Sequence, residues 1–220
     1  MKRLADGLLR WACPHPEWRA GDFGAEVASF ALRADDEGLL IDPLLPADDG
    51  SVLPQLDALF MGAERVSILI TIPYHARSSE ELAPRFGAQI YGPAGVAKRL
   101  SSSKRFTAIE PGDELPGGAR SFAIGKPRPR GEQPLWLPSH RALAFGDAVV
   151  EYGGSLRVWA HDHVDEKVRR FYRERFNPTL RPLLELDTER VLVTHGEPVL
   201  SGGGAALRRA LDAEPWYHHG

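Results

Sequence analysis

The stretch Val66–Ser79, read VSILITIPYHARSS, decides the fold class of this chain. Its first residues, Val66–Ile70, form a short apolar run rich in β-branched side chains, which predicts a buried strand. Pro73 has no amide hydrogen to give to a sheet, so the strand should end before it. Ser78 and Glu81 have the spacing of a capping box, which predicts that a helix begins there.

A strand that ends in a loop and is followed by a helix presents the loop side chains at its carboxyl end. In α/β folds, ligands usually bind at that end of the strands. The loop after this strand carries Tyr74, His75 and Arg77. We therefore take these three residues as the first candidates for a functional site.

The length and composition predict one globular domain covering residues 1–220. The chain has 220 residues, of which 43% are apolar, enough to bury a large core. Its net charge of −3 gives no indication of a nucleic-acid partner or an acidic membrane surface. We expect a small-molecule ligand or substrate instead, and the sequence leaves the oligomeric state open.

The cysteine count and the amino-terminal sequence indicate the cellular compartment. Cys13 is alone, so the chain can form neither an internal disulfide nor a zinc site made of cysteines only. Asp6 and Arg10 interrupt the amino-terminal apolar residues, which argues against a signal peptide. No run reaches the roughly 18 apolar residues of a membrane helix. We expect a soluble, cytoplasmic protein.

The remaining pattern alternates short apolar runs with segments of helical spacing, whereas residues 1–20 look irregular. The predicted strands are Val27–Arg33, Gly38–Asp42, Ala88–Tyr91, Thr107–Glu110, Arg120–Ile124, Leu135–Leu137, Ala142–Phe145 and Arg190–Thr194. The predicted helices are Leu53–Gly62, Glu80–Phe86, Ala94–Leu100, Val164–Phe176, Thr179–Leu186 and Ala205–Leu211. This order favours an α/β fold in which two sheets pack together with helices outside, an αββα sandwich.

Three predicted strands end in residues that carry chemistry. These residues are Asp42, Asp147 and His195. Carboxylates and imidazoles at neighbouring strand ends can form a metal site or an acid–base pair.

Several motifs and their order resemble the metallo-β-lactamase superfamily. They are LLIDP at 39–43, the strand that ends in Thr71, QIYG at 89–92, LAFGDAVV at 143–150 and VLVTHGEPVL at 191–200. The resemblance covers about Val27–Leu211. It implies a four-layer αββα sandwich in which one or two zinc or iron ions at the strand ends activate water for hydrolysis.

Carried over by position, the resemblance gives only part of the family's site. Asp42 matches the acidic residue that orients the site, Asp147 the bridging aspartate and His195 the late histidine. The family's ligand motif His-x-His-x-Asp-His should follow Thr71. This sequence has Ile72, Tyr74, Ala76 and Arg77 at its four ligand positions, and Lys126 falls near the position of a further histidine.

The lost ligands predict the absence of an ordinary two-zinc site. A catalytic zinc needs about three protein ligands and one open position, and Asp147 and His195 supply two. Arg77 places a positive charge where a ligand belonged, which disfavours a dication. We therefore expect no cofactor, with one zinc or iron ion as the alternative.

Other histidines could rebuild the site. His75 is next to the lost ligand positions and either moves in as a ligand or lies at the pocket rim. His161 and His163 resemble the lost motif, although a polar helix start capped by Asp162 or Asp165 explains that segment more simply. His15 and His140 are expected at the surface, and His218-His219 is expected to be a flexible tail.

Three further patterns have a simple structural interpretation. The glycine-rich segment 201–204 could cradle a phosphate at a helix start, although it lacks the ending of a P-loop. The basic segment Lys126–Pro134 is expected to be a solvated connector, and Asp147 could pair with Arg77 in a structural salt bridge. No Gly-x-Ser-x-Gly motif supports a serine hydrolase.

Two hypotheses follow. In the first, the chain has lost the catalytic metal and binds a small molecule or a partner. In the second, it is a divergent metal-dependent hydrolase with a rebuilt mononuclear site. The candidate catalytic residues are Asp147, His195 and His75, the candidate substrate-binding residues are Tyr74 and Arg77, and no residue is assigned to a metal.

Overall fold

A seven-stranded sheet forms one half of the molecule. The computed structural model describes residues 1–48, 50–125 and 131–218. The strands of the sheet follow one another in chain order: β1 (Lys2–Ala5), β2 (Leu8–Pro14), β3 (Glu26–Ala34), β4 (Glu37–Ile41), β5 (Arg65–Leu69), β6 (Gln89–Pro93) and β7 (Phe106–Ile109). Strands β1 to β4 are antiparallel, and β4 to β7 run parallel.

The second half contains a smaller sheet and a hairpin. Its strands are β8 (Arg120–Ser121), β9 (Leu135–Leu137), β10 (Ala142–Phe145), β11 (Val149–Tyr152), β12 (Ser155–Val158) and β13 (Arg190–Val193). The smaller sheet has the order β13-β10-β9-β8, and β11 pairs with β12 as a separate hairpin. Strands β10 and β13 are parallel neighbours, so their carboxyl ends meet at one edge of the sheet.

Helices cover the outer faces of both sheets. They are α1 (Leu53–Phe60), α2 (Ser79–Phe86), α3 (Glu166–Phe171), α4 (Asn177–Leu180) and α5 (Gly203–Asp212). A turn of π-helix, Tyr172–Phe176, joins α3 to α4, and short 3₁₀ turns cover Pro73–Ala76, Ala94–Lys98 and Arg181–Glu185.

Three apolar clusters define four layers. The cluster between the sheets combines side chains of both, among them Leu39, Leu135 and Leu192. A second cluster packs α1 and α2 on the larger sheet, and a third packs α3 to α5 on the smaller sheet. The αββα sandwich predicted from the sequence is confirmed.

Some local predictions are wrong. Residues 1–20 are not irregular, because most of them form β1 and β2, and Trp11 is buried with its indole N–H donating to the Leu44 carbonyl. The hairpin of β11 and β12 was not predicted. The capping box at Ser78 does not form, since the Ser78 hydroxyl accepts the Leu45 N–H at 2.9 Å instead.

The predicted helices at 94–100 and 179–186 are also wrong in type. The first is a 3₁₀ turn, and the second divides between α4 and the 3₁₀ turn at Arg181–Glu185. Pro182 lies at the start of that second turn, where a proline cannot donate the hydrogen bond that would continue an α-helix. Within the described ranges, no helix has the length and apolar character needed to span a membrane.

Candidate functional site

The site begins at the carboxyl end of β4, where Asp42 turns the chain. Asp42 has a φ of 47°, in the left-handed region that aspartate tolerates better than most residues. Its carboxylate accepts the Thr71 N–H at 2.8 Å and the Thr71 hydroxyl hydrogen bond. Asp42 is 2% exposed, so these hydrogen bonds hold a buried carboxylate against the end of β5.

His75 lies between two carboxylates. Its Nδ1 is 2.9 Å from Asp42 Oδ2, and its Nε2 is 3.4 Å from Asp147 Oδ1. Burial and the Arg77 charge oppose protonation of His75, but the two carboxylates outweigh them and raise the pKa of His75. The two carboxylates therefore favour the protonated form of His75 more than its unperturbed environment would. His75 is 5% exposed, so it is part of the cavity floor and does not lie at the rim.

Asp147 and His195 meet because β10 and β13 are parallel neighbours. His195 Nε2 is 3.8 Å from Asp147 Oδ1. Burial would raise the pKa of Asp147, but His75, His195 and Arg77 hold it well below its usual range. Burial lowers the pKa of His195 to about 4 against the opposing effect of the Asp147 charge. The pair therefore consists of a carboxylate and a neutral imidazole near neutral pH.

Arg77 ties the loop to the sheet. Its Nη1 donates to the Asp42 carbonyl at 2.9 Å and to the Ala28 carbonyl at 3.3 Å. The backbone at Arg77 has φ 38° and ψ −123°, a conformation that glycine usually supplies. The predicted ion pair between Arg77 and Asp147 does not form, since Asp147 faces the two imidazoles.

Glu132 supports Asp147 from behind. Its carboxylate accepts the backbone N–H groups of Gly146, Asp147 and Ala148 at 3.0, 3.1 and 2.8 Å. Burial and the Asp147 charge raise the pKa of Glu132 to about 7. Glu132 lies in the segment predicted as a solvated connector, which is wrong for this residue. Residues 126–130, including Lys126, lie outside the described residues.

A cavity of about 940 Å³ opens above this floor. Its inner wall is aromatic: the rings of Phe23 and Trp159 lie 5.5 Å apart, and each packs on His195, at 5.1 and 5.6 Å between ring centres. Trp18 and Tyr74 line the mouth and are 42% and 46% exposed. These aromatic residues come from distant parts of the chain, which is why no sequence pattern predicted them as a group.

The structure brings together most of the candidate residues. His75, Asp147, His195, Tyr74 and Arg77 all line the cavity. Arg77 is only partly buried, and its Nη1 is engaged by the two carbonyls. Their roles in catalysis or binding stay predictions.

Further histidines also reach the cavity. His15, predicted at the surface, and His218, predicted in a flexible tail, both line it, and His218 Nε2 is 2.9 Å from the Gly21 carbonyl. His161 lines the cavity with its ring 4.7 Å from Trp159, whereas His163 lies by Tyr217 at 6.4 Å. His219 lies outside the described residues.

Other candidates have structural roles. The Asp165 carboxylate accepts the Val168 N–H at 2.8 Å, which confirms the predicted helix cap. His140 is not at the surface, because it is 8% exposed and its Nε2 lies 3.1 Å from the Asp6 carbonyl. Cys13 is buried, and burial raises the pKa of its thiol, as expected for an inert cysteine.

The glycine-rich segment before α5 does not present its amides to a phosphate. The N–H groups of Gly203 and Gly204 donate to the carbonyls of Glu189 and Thr188, both at 2.9 Å. These two amides are therefore not available to a phosphate, and the simpler interpretation of the segment, a plain glycine loop that leads into α5, agrees with these contacts.

The donor set of the floor does not match a metal centre. Among residues 1–48, 50–125 and 131–218, no group of three His, Cys, Asp or Glu side chains is placed to hold a metal ion. The positive charge of Arg77 lies in the same cavity lining and disfavours a dication there.

Comparisons with known proteins bear on the fold. The sequence matches no protein-family model, and the comparison with curated proteins found no match. Among solved structures, the chain is similar to a metallo-β-lactamase from Pontibacter korlensis, with a TM-score of 0.64 and 13% identity over 97% of this chain and 98% of that one. It is also similar to an archaeal metallo-β-lactamase superfamily protein from Sulfolobus tokodaii, with a TM-score of 0.61 and 15% identity over 84% and 79%.

A third solved structure agrees with these two. It is a metallo-β-lactamase family protein from Thermus thermophilus, with a TM-score of 0.60 and 16% identity over 96% of this chain and 78% of that one. These similarities agree with the order of the layers and with the position of the site at the strand ends. The chain has the metallo-β-lactamase fold.

Proposed function

We propose that this chain is a metal-independent small-molecule-binding protein, of hydrolase ancestry, that has lost the ligand motif His-x-His-x-Asp-His. The observation that carries the proposal is the position of Arg77 together with its hydrogen bonds. It stands at the last position of the motif, and its Nη1 donates to the carbonyls of Asp42 and Ala28. A ligand position is thus taken by a cation that stabilises the loop.

The charges of the floor support the same proposal. Asp42 and Asp147 are two buried carboxylates, and buried charges are costly unless they are paired and hydrogen-bonded. His75 lies between them with a pKa that they raise, and Arg77 adds a positive charge nearby. The protein's own cations therefore offset the carboxylate charge, so the site needs no metal for that purpose.

The cavity is suited to an organic ligand. Its volume of about 940 Å³ lies in the range of small-molecule sites, and aromatic and polar side chains share its lining. Here the aromatic wall of Phe23 and Trp159 stands above the polar floor of Asp147 and His195. We expect the wall to bind the apolar body of a ligand and the floor to orient its polar group.

Zinc titration tests the proposal. We expect no heat of binding in calorimetry and no rise in melting temperature when ZnCl₂ is added to the purified chain, because a real site would stabilise the folded state by ligand linkage. His195→Ala is the matched variant. Saturable binding of about one zinc per chain that is lost in His195→Ala would overturn the proposal.

One observation favours a second candidate, a hydrolase with a rebuilt mononuclear site. His75 Nε2 and His195 Nε2 both face Asp147 Oδ1, at 3.4 and 3.8 Å. Donors around a tetrahedral zinc with bonds of about 2.1 Å are about 3.4 Å apart, so these separations are near that value. Asp42 behind His75 would act as the carboxylate that orients a ligating imidazole.

We place this candidate second because of Arg77. The rebuilt site would lie beside a guanidinium, which repels a dication at short range in a buried environment. The zinc titration separates the two candidates directly. Hydrolysis that requires zinc and is lost in His195→Ala would favour the second.

A further inference from the structure

We infer that the cavity takes a small organic carboxylate, which Arg77 binds through the edge of its guanidinium that carries Nε and Nη2. The inference rests on the proposed function, since it names the ligand class of that same cavity. It follows from two observations: the donors of Arg77 that the protein leaves without a partner, and the partners that the carboxylates of the cavity floor already have.

Arg77 uses one side of its guanidinium to hold the loop and leaves the other side without a partner. Nη1 donates to the carbonyls of Asp42 and Ala28, whereas Nε is enclosed and has no hydrogen-bond partner. Nη2 forms no hydrogen bond with any residue that the structure describes, and it is not enclosed as Nε is. In a planar guanidinium the N–H groups of Nε and Nη2 point the same way from the side opposite to Nη1. This pair of donors matches the two oxygens of a carboxylate.

The charge of Arg77 also lacks a direct partner. Both acceptors of Nη1 are neutral carbonyls, and Arg77 forms no ion pair with a carboxylate in the described part of the chain. Its charge is nevertheless felt across the lining, because burial lowers the pKa of His15 and the Arg77 charge lowers it further. Buried charges are costly unless they are paired. A carboxylate on the ligand would supply the missing partner.

The carboxylates of the floor, in contrast, already have partners. Asp42 Oδ2 lies 2.9 Å from His75 Nδ1. Asp147 Oδ1 lies 3.4 Å from His75 Nε2 and 3.8 Å from His195 Nε2. The negative groups of the floor are therefore compensated within the protein, and Arg77 is the charged group of this region that still needs an acceptor.

The other charges of the lining favour a carboxylate over a phosphate. Glu17 and Asp22 line the cavity and also an outer pocket, so they lie towards the mouth, where Arg99 adds a positive charge. A phosphate group carries a charge of about −1.5 to −2 at neutral pH. It would be repelled more strongly than a carboxylate by these acidic residues and by Asp147.

The test compares four probes that share a benzene ring and differ in charge. They are benzoate, phenyl phosphate, neutral benzyl alcohol and benzylammonium, each measured by calorimetry at pH 7 in Tris buffer. The chain is first treated with a chelator, which is then removed. We expect benzoate to bind about tenfold or more tightly than benzyl alcohol and benzylammonium, a factor that corresponds to about 1.4 kcal/mol, and more tightly than phenyl phosphate.

A spectroscopic signal and a variant assign the binding to Arg77. In ¹⁵N-edited NMR spectra of the wild type, the assigned Nε–H signal of Arg77 should shift saturably with benzoate and stay in place with benzyl alcohol. Arg77→Lys keeps the charge but loses the paired donors, so its affinity for benzoate should fall about fivefold or more. Arg85→Lys, at an exposed arginine outside the lining, is the matched control and should bind benzoate as the wild type does.

The outcomes separate this inference from the proposed function. Equal binding of the four probes, tighter binding of phenyl phosphate or benzylammonium, or no detectable binding of benzoate to the metal-free chain overturns the inference. Benzoate binding that leaves the Arg77 Nε–H signal in place overturns it too. The proposed function fails as well only if benzoate does not bind to the metal-free chain and binds once zinc is added.

Discussion

Replacing Arg77 tests whether its guanidinium holds the loop that carries His75. In Arg77→Ala the carbonyls of Asp42 and Ala28 lose their shared donor. A hydrogen bond from a charged group contributes about 1.5–3 kcal/mol, and the contact at 3.3 Å is weaker than that at 2.9 Å. We therefore expect the free energy of unfolding to fall by about 2–4 kcal/mol.

The backbone at the same residue provides an internal comparison. With φ 38° and ψ −123°, a residue with a Cβ is strained by about 1–3 kcal/mol, whereas glycine adopts this conformation readily. Arg77→Gly relieves that strain. It also raises the conformational entropy of the unfolded chain, which lowers the free energy of unfolding by about 0.5–1 kcal/mol and offsets part of the gain. Arg77→Gly should thus be about 1 kcal/mol more stable than Arg77→Ala, although both lose the hydrogen bonds.

Urea unfolding followed by tryptophan fluorescence measures these differences, provided that the slope with denaturant stays constant among the variants. Arg99→Ala is the matched control, because Arg99 is exposed and contacts the Tyr74 ring at the cavity mouth. It should remain close to the wild type. A loss below about 0.5 kcal/mol in Arg77→Ala, the usual effect of a neutral surface change, would refute the reasoning. An Arg77→Gly variant less stable than Arg77→Ala would refute it as well.

Three further predictions concern pH and packing. In an NMR titration, His195 should show a pKa of about 4, and a measured value near 6.5 would contradict this. Because the folded pKa lies below the unfolded value of 6.5, the contribution of His195 to stability is present above pH 6.5 and is lost as the pH falls towards 4. Glu132 has a raised pKa of about 7, so its contribution to stability is greatest below pH 4.5 and declines as the pH rises through 7. Glu132→Gln should remove this slope from the pH dependence of urea unfolding, whereas the exposed control Glu81→Gln should keep it, and a slope that persists in Glu132→Gln would contradict the assignment. In Gly38→Ala the new Cβ would lie 2.5 Å from the Phe60 ring, so urea unfolding should show a loss of about 1–3 kcal/mol, and an unchanged midpoint would be evidence against this packing.

The apolar strands were predictable because burial leaves a pattern in the sequence. Val66–Ile70, Ala142–Phe145 and Arg190–Thr194 are short runs of mostly apolar residues, and they appear as β5, β10 and β13 with bounds shifted by one residue at most. Their ends carry the site, so Asp147 and His195 could be assigned to the carboxyl edge before any distance was known.

The contacts that define the floor could not be predicted in the same way. His75 is held by Asp42 and Asp147, residues 33 and 72 positions away in the chain, and no periodic pattern records such a pairing. Glu132 binds backbone amides, which every sequence contains, so its partners leave no trace in residue types. Strand β1 was missed because its outer residues are exposed and polar, as suits the edge of a sheet.

Elemental analysis of the chain, purified without chelator, tests the central claim most directly. If Arg77 and His75 together offset the charge of the buried carboxylates, zinc and iron should each be far below one atom per chain, and Arg77→Ala should not raise them. About one zinc or iron per chain, bound by the wild type and absent from His195→Ala, would contradict the account.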